Sequence, residues 1–180
     1  IGCSITQGVG LHKENTWPVL LTNKLGLREI NLGIPGGSTD AAFRVYNEWQ
    51  PIHKSKITCL LLPPDNRIEL IQKEAWVNIG HWSAETGQID PEVLTQILDP
   101  ILGKVRVDRN TAAIKWIAQE TDSTLIIADS ARIIPSLASA THKGRDNKHP
   151  GELWNKQIAE EFYDRIMDTT SINSNRISQE

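Results

Sequence analysis

Two short, almost wholly apolar runs dominate this sequence: Ile-Thr-Cys-Leu-Leu-Leu at 57–62 and Thr-Leu-Ile-Ile-Ala at 124–128. A strand that is apolar throughout, rather than at alternate positions, is covered on both faces, and a sheet achieves that when helices pack on its two sides. The stretches between these runs supply such helices. Thr16 is placed to cap one that carries Trp17, Leu20, Leu21 and Leu25, with Pro18 in its first turn and Gly26 at its end. Ser38 or Thr39 caps a second with Ala42, Val45, Tyr46 and Trp49. A third is marked by Val93, Leu94, Ile97, Leu98, Ile101 and Leu102, a fourth covers 111–120, and a last one after Pro150 carries Trp154, Ile158, Phe162 and Ile166. Residues 1–4 and 28–32 read as further short strands. Residues 65–90 lack a clean period and read as a long loop enclosing a short helix. Strands alternating with helices predict a mainly parallel sheet covered on both faces.

At 180 residues the chain is the size of one domain, expected over 1–168, with a polar, frayed tail over 169–180. Hydrophobic residues make up 39% and charged residues 23%, enough for an ordinary core. Nineteen Lys plus Arg against 22 Asp plus Glu give a formal charge of −3, which argues against a general nucleic-acid binder. No apolar run approaches the roughly 18 residues of a membrane span. The two cysteines make neither a disulfide framework nor a C-x-x-C pair. The sequence opens at Ile1 without a methionine, so a preceding segment is expected to have been removed or left out. The cytoplasm is then the assignment by default, and oligomeric state is not readable.

In parallel sheets, ligands bind where loops leave the carboxyl ends of the strands, here after Ser4, Leu32, Leu62 and Ala128. The first loop, Gly2-Cys3-Ser4-Ile5-Thr6-Gln7-Gly8, presents a small hydroxyl on a tight turn, the exposure that a nucleophile needs. The second brings bare backbone through Gly36 and Gly37. The third holds Pro63-Pro64-Asp65-Asn66-Arg67, and the last holds Asp146-Asn147-Lys148-His149-Pro150-Gly151 before a helix. Each alone has an ordinary reading as a turn, a cap or a surface imidazole, and their joint order carries the weight.

In that order the blocks resemble the SGNH (GDSL-type) hydrolases, serine esterases and acylhydrolases with a flavodoxin-like, three-layer α/β/α fold. Residues 2–8 are similar to the family's first block, although Cys3 stands where aspartate is usual. Asn31-Leu32-Gly33-Ile34-Pro35-Gly36-Gly37-Ser38 is similar to the second, and Asp146-x-x-His149 to the last. The resemblance implies a Ser4 nucleophile, His149 as acid and base, Asp146 to orient it, and oxyanion donors at Ser4, Gly36 and Asn66. The third block is the irregular one: Asp65 competes with Asn66 for its register, and a carboxylate there would repel the oxyanion. The resemblance implies neither metal nor organic cofactor, and a small-molecule, glycan or lipid ester as substrate. Its rivals are a catalytically idle binding or assembly module and an acyltransferase.

Other residues have competing readings. His142, Asp146 and His149 form a possible metal set. Arg67 is either a surface residue or a cation for an anionic substrate, and His81 and Trp82 are candidates for a substrate wall. Trp76, like Trp82, reads first as packing, and His12 and His53 as surface or loop residues. Cys3 is expected to point into packing rather than act as nucleophile, and Cys59 to be an inert thiol within a strand.

Overall fold

The structure, a computed structural model, describes residues 1–134 and 142–177. Its helices are α1 (Ser4–Gln7), α2 (Trp17–Leu25), α3 (Thr39–His53), α4 (Trp82–Glu85), α5 (Pro91–Ile97), α6 (Pro100–Glu120), α7 (Ser130–Ile133) and α8 (Glu152–Ile177). Its strands are β1 (Ile57–Leu62), β2 (Ile68–Gln72), β3 (Ala75–Ile79) and β4 (Thr124–Asp129).

The two apolar runs pair with each other. β1 and β4 are parallel, in register from Ile57 opposite Thr124 to Leu62 opposite Asp129. Beyond β1 the sheet is extended by single contacts. Ile1 N donates to Cys59 O (2.8 Å) and Leu61 N–H to Ile1 O (3.2 Å), while Gly2 bridges Gly33 in parallel. Order across the sheet is therefore the Gly33 segment, residues 1–2, β1 and β4. The expected strands at 1–4 and 28–32 are thus cut to a bridge. On one side Ser4 already opens α1. On the other, Asn31 takes over hydrogen bonds that a ladder would supply, accepting from Gly33 N–H (2.9 Å) and donating to Thr6 O (2.8 Å).

Alternating side chains of β1 enter two cores. Leu61 packs with Trp17 and Leu21 of α2 and with Ile158, Phe162 and Ile166 of α8. Leu60 packs on the opposite face with Ala42 and Tyr46 of α3 and with Ile114, Ile117 and Ala118 of α6. Helix, sheet and helix form three layers, as the continuous apolarity of the strands requires. Each fully buried Leu, Ile or Phe contributes about 1.5–3 kcal/mol.

Helix ends follow their local chemistry with one exchange. Ser38 caps α3, its Oγ accepting from Asp40 N–H and Ala41 N–H (3.2 and 3.3 Å). Thr16 sits at the N-cap of α2 but donates back to Lys13 O (2.8 Å), and Trp17 N–H is satisfied by buried Asn155 of α8 instead (3.0 Å). The apolar stretch from Pro91 is split by Asp99-Pro100: Asp99 Oδ1 accepts from Ile101 and Leu102 N–H, and Pro100 takes the first turn of α6. Ile101 and Leu102 thus open a helix that continues unbroken to Glu120 rather than close the one before. α8 likewise runs through Thr169, where a polar tail is predicted, as far as Ile177.

The largest departure lies in 65–90. Instead of a loop, β2 and β3 form an antiparallel hairpin, Ile68 opposite Ile79 and Gln72 opposite Ala75. Its two-residue turn is Lys73-Glu74, both at positive φ (46° and 65°). Such turns favour Asn-Gly or Asp-Gly, so the usual sequence signal is missing. Side chains hold the hairpin onto α3: Arg44 donates two 2.8 Å hydrogen bonds to Glu69, whose side chain is 2% exposed, and lies over the Trp76 ring at 4.8 Å. α4, the expected short helix, follows at once.

Candidate active site

The parallel strands and both N-terminal bridges end on one edge of the sheet, and a cleft of about 790 Å³ opens there. Ser4, Gly36, Arg67, His81, Trp82 and His149 all line it. Six of the eight positions singled out from sequence therefore share one space.

Ser4 is the first residue of α1, so its N–H faces no intrahelical acceptor. Cys3 before it is 1% exposed and points into the α2–α8 core, which leaves it no access to the cleft. Gly2 is required by space: a Cβ there would lie 2.3 Å from Thr6 Oγ1 and 2.8 Å from Leu61 O. Gly36 adopts φ +69°, which favours glycine, and its N–H has no partner among the described residues.

His149 reaches the same edge from the other end of the chain. Gly144 N–H bonds His149 O, Gly151 N–H bonds His142 O, and Arg145 N–H bonds Gly10 O, each at 2.8 Å. The first two close the 142–151 turn on itself, and the third ties it to the loop that follows α1. Within the turn, Asp146 Oδ1 accepts from the Lys148 and His149 amides (3.1 Å each), and Oδ2 meets His149 Nδ1 at 2.5 Å. Burial raises the Asp146 carboxyl pKa, but the hydrogen bonds from the His149 ring and the two amides outweigh it and bring it down to about 2. With Nδ1 held by a carboxylate, Nε2 is the ring nitrogen left for chemistry. No direct hydrogen bond joins it to Ser4 Oγ among the described residues. Such bonds are commonly long in substrate-free sites and tighten on binding.

Asn66 and Asp146 are the two predicted residues outside the lining. Asp146 stands behind His149, whereas Asn66 is exposed and outside the lining. The amide side chain that lines it is Asn78, on β3. A Cβ at Gly36 would fall 3.6 Å from Asn78 Cβ, so the two are neighbours. Asn78 Nδ2 makes a 3.5 Å contact to Pro35 O, and its Oδ1 is buried without a partner. No clean period runs through 68–79 to mark it in the sequence.

The remaining candidates separate. Trp82 packs over Gly36 and Gly80 and meets His81 edge-on (5.4 Å), whereas Trp76 is half exposed under Arg44. His53 stacks on Trp49 (4.8 Å), and His12 and His142 border a different hollow. Among the described residues no three potential metal ligands come together, so His142 does not join Asp146 and His149. Burial pushes the Cys59 thiol up to about 11. No helix is long and apolar enough to cross a membrane among the described residues.

Nearly the whole chain is similar in fold to a solved esterase. EstA from Pseudoalteromonas sp., in a structure inhibited by monoethylphosphonate, matches 95% of this chain and 96% of its own at 15% identity and a TM-score of 0.50. The chain shares the fold of that esterase, in keeping with the three-layer α/β/α arrangement that the SGNH resemblance implies. A family 3 carbohydrate esterase of Clostridium thermocellum is similar over 94% of both chains (16% identity, TM-score 0.46). An acetylxylan esterase of Geobacillus stearothermophilus is similar over 89% of both (16% identity, TM-score 0.43). No protein-family profile matches the sequence, and neither does any curated protein.

Proposed function

We propose that this chain is a carboxylic ester hydrolase acting through an acyl-enzyme on Ser4. The observation that carries the reading is the cleft itself, in which Ser4 and a histidine already engaged by a carboxylate through Nδ1 face one space at the carboxyl edge of the sheet. In the first step His149 Nε2 takes the proton from Ser4 Oγ as the oxygen attacks the ester carbonyl carbon. Asp146 stabilises the imidazolium that forms. Negative charge gathers on the carbonyl oxygen, where Ser4 N–H and Gly36 N–H act as donors. Asn78, rather than exposed Asn66, supplies the third donor by exchanging its long contact to Pro35 O for the oxyanion. His149 then gives its proton to the departing alkoxide and the C–O bond breaks. In the second half it activates water, which cleaves the acyl-Ser4 ester and returns the serine.

His81, Trp82 and Arg67 form the opposing wall against which substrate rests. The unit performing this is a single domain whose last helix packs through Phe162 and Ile166.

A fluorophosphonate probe and 4-nitrophenyl acetate test the reading together. Wild-type protein is expected to be labelled at Ser4 and to hydrolyse the ester, and Ser4→Ala to do neither. Labelling elsewhere, or hydrolysis retained in Ser4→Ala, removes Ser4 from the nucleophile role. Folded wild-type protein with neither labelling nor turnover is a binding module on this fold.

A further inference from the structure

The wall opposite Ser4 contains a cation that has no ion pair among the described residues. Arg67 lines the cleft, yet its Nε and Nη1 are buried and make no hydrogen bond. Its guanidinium lies over the Trp82 ring at 5.3 Å, a contact that orients the fork without neutralising it. Arg44, which is partly buried, is used differently: it spends both arms of its fork on Glu69. Among the described residues Arg67 has no ion pair with any acid. The lining contains Lys148, exposed at the rim, and neither Asp nor Glu among the described residues, on a chain whose net charge is −3. Asp146, the nearest functional carboxylate, is engaged by His149.

Guanidinium nitrogens buried without an acceptor are costly, and a planar carboxylate that bridges one of them and Nη2 is a well-matched partner. The position is tied to the reaction centre through one residue, because Trp82 also packs on Gly36: a Cβ there would lie 3.1 Å from the Trp82 ring. We propose that Arg67, seated on Trp82, is a specificity residue that receives a substrate carboxylate, so that the preferred substrates are esters bearing a carboxylate a few carbons from the scissile bond. This rests on the esterase reading for the word substrate, while the carboxylate site itself does not.

Two matched pairs of esters test the preference, one for each side of the scissile bond. Mono-4-nitrophenyl glutarate against 4-nitrophenyl valerate places the charge on the acyl side. 4-Acetoxybenzoate against 4-acetoxytoluene places it on the alcohol side. Wild-type kcat/KM is expected to favour the anionic member of at least one pair by about tenfold or more. In Arg67→Gln that ratio should collapse towards one, with Arg67→Lys between. No preference in either pair, or a preference that survives Arg67→Gln, overturns the assignment.

A binding arm separates this outcome from failure of the hydrolase reading. Glutarate at constant ionic strength should raise the Tm of wild-type protein and of Ser4→Ala more than that of Arg67→Gln, with glutaramide raising none. Glutarate binding without turnover would sink the hydrolase and keep the carboxylate site. Turnover of neutral esters with equal glutarate effects on wild type and Arg67→Gln would do the reverse.

Discussion

The wall of the cleft that carries Ser4, Gly36 and His149 is tied to the sheet by backbone, whereas the wall that carries Arg67, Asn78, His81 and Trp82 is held by side chains. On the first, main-chain hydrogen bonds of 2.8–3.1 Å join Ile34 to Gly2 and Arg145 of the 142–151 turn to Gly10, and most side-chain substitutions leave such bonds in place. On the second, a two-stranded hairpin, a unit with little stability of its own, depends on Arg44, Glu69 and Asp40 for its seat on α3. Rigidity therefore lies where the proposed chemistry needs reproducible geometry. The side that would select substrate can be rebuilt by changing a few side chains.

The comparison breaks most sharply at the backbone-tied wall. His149→Ala and Asp146→Asn should each lower kcat for 4-nitrophenyl acetate by about 10³–10⁴-fold or more. An effect confined to KM would move those residues out of the proposed acid/base role. Asp146 has a second signature, in stability. Its carboxyl pKa is lowered on folding, from 3.8 to about 2. The native state thus favours the charged form, and that contribution is complete above about pH 4 and lost as pH falls towards 2. Tm followed from pH 5 to pH 2 should drop less steeply in Asp146→Asn than in wild type.

A middle-sized effect is expected from the side-chain-held wall. Arg44→Met leaves the Glu69 carboxylate buried without its partner, costing on the order of 3 kcal/mol in urea unfolding. Removing both charges, as Arg44→Met with Glu69→Leu, should recover most of it. Fluorophosphonate labelling of Ser4 should persist in the double variant while KM for bulky esters changes. If labelling fails in a variant that remains folded, the two walls are not separable in the way drawn here.

The smallest effect tests where the walls touch. Gly36→Ala forces a left-handed φ of +69° on alanine, costing about 1 kcal/mol, and sets a methyl 3.1 Å from the Trp82 ring. Thermal unfolding should show the loss, and Trp82→Ala in the same background should relieve the steric part while leaving the backbone part. Equal losses in both backgrounds would mean that Trp82 does not press on Gly36.

Legibility followed the same division. β1, β4, α3 and α8 were readable because continuous apolarity and a 3.6-residue period are properties of consecutive residues. Ser4, Gly36 and His149 were readable because each sits on a short glycine- or proline-marked loop at a strand or helix end. Asn78 was not, since it lies within the hairpin, whose Lys73-Glu74 turn carries none of the residues that announce positive φ. Asn66 was favoured because a carboxylate at Asp65 would repel the oxyanion, but it lies exposed and outside the cleft lining. The strand at 28–32 was overread because Asn31 side-chain bonds replaced the ladder.

Consecutive residues alone determined the layering: a strand with no polar face must be covered twice, and the intervening helices have the apolar faces to do it. They also determined the local form of the Asp146–His149 turn, whose members lie three residues apart. Only the tertiary structure decided that this turn and Ser4 border one space, that Asn78 rather than Asn66 lines it, and that Arg67 enters without an acidic partner among the described residues. Those outcomes depend on packing between segments far apart in the chain, such as Arg44 on Glu69 and Arg145 on Gly10. No local pattern encodes such contacts, because their free energy exists only once the intervening chain has folded.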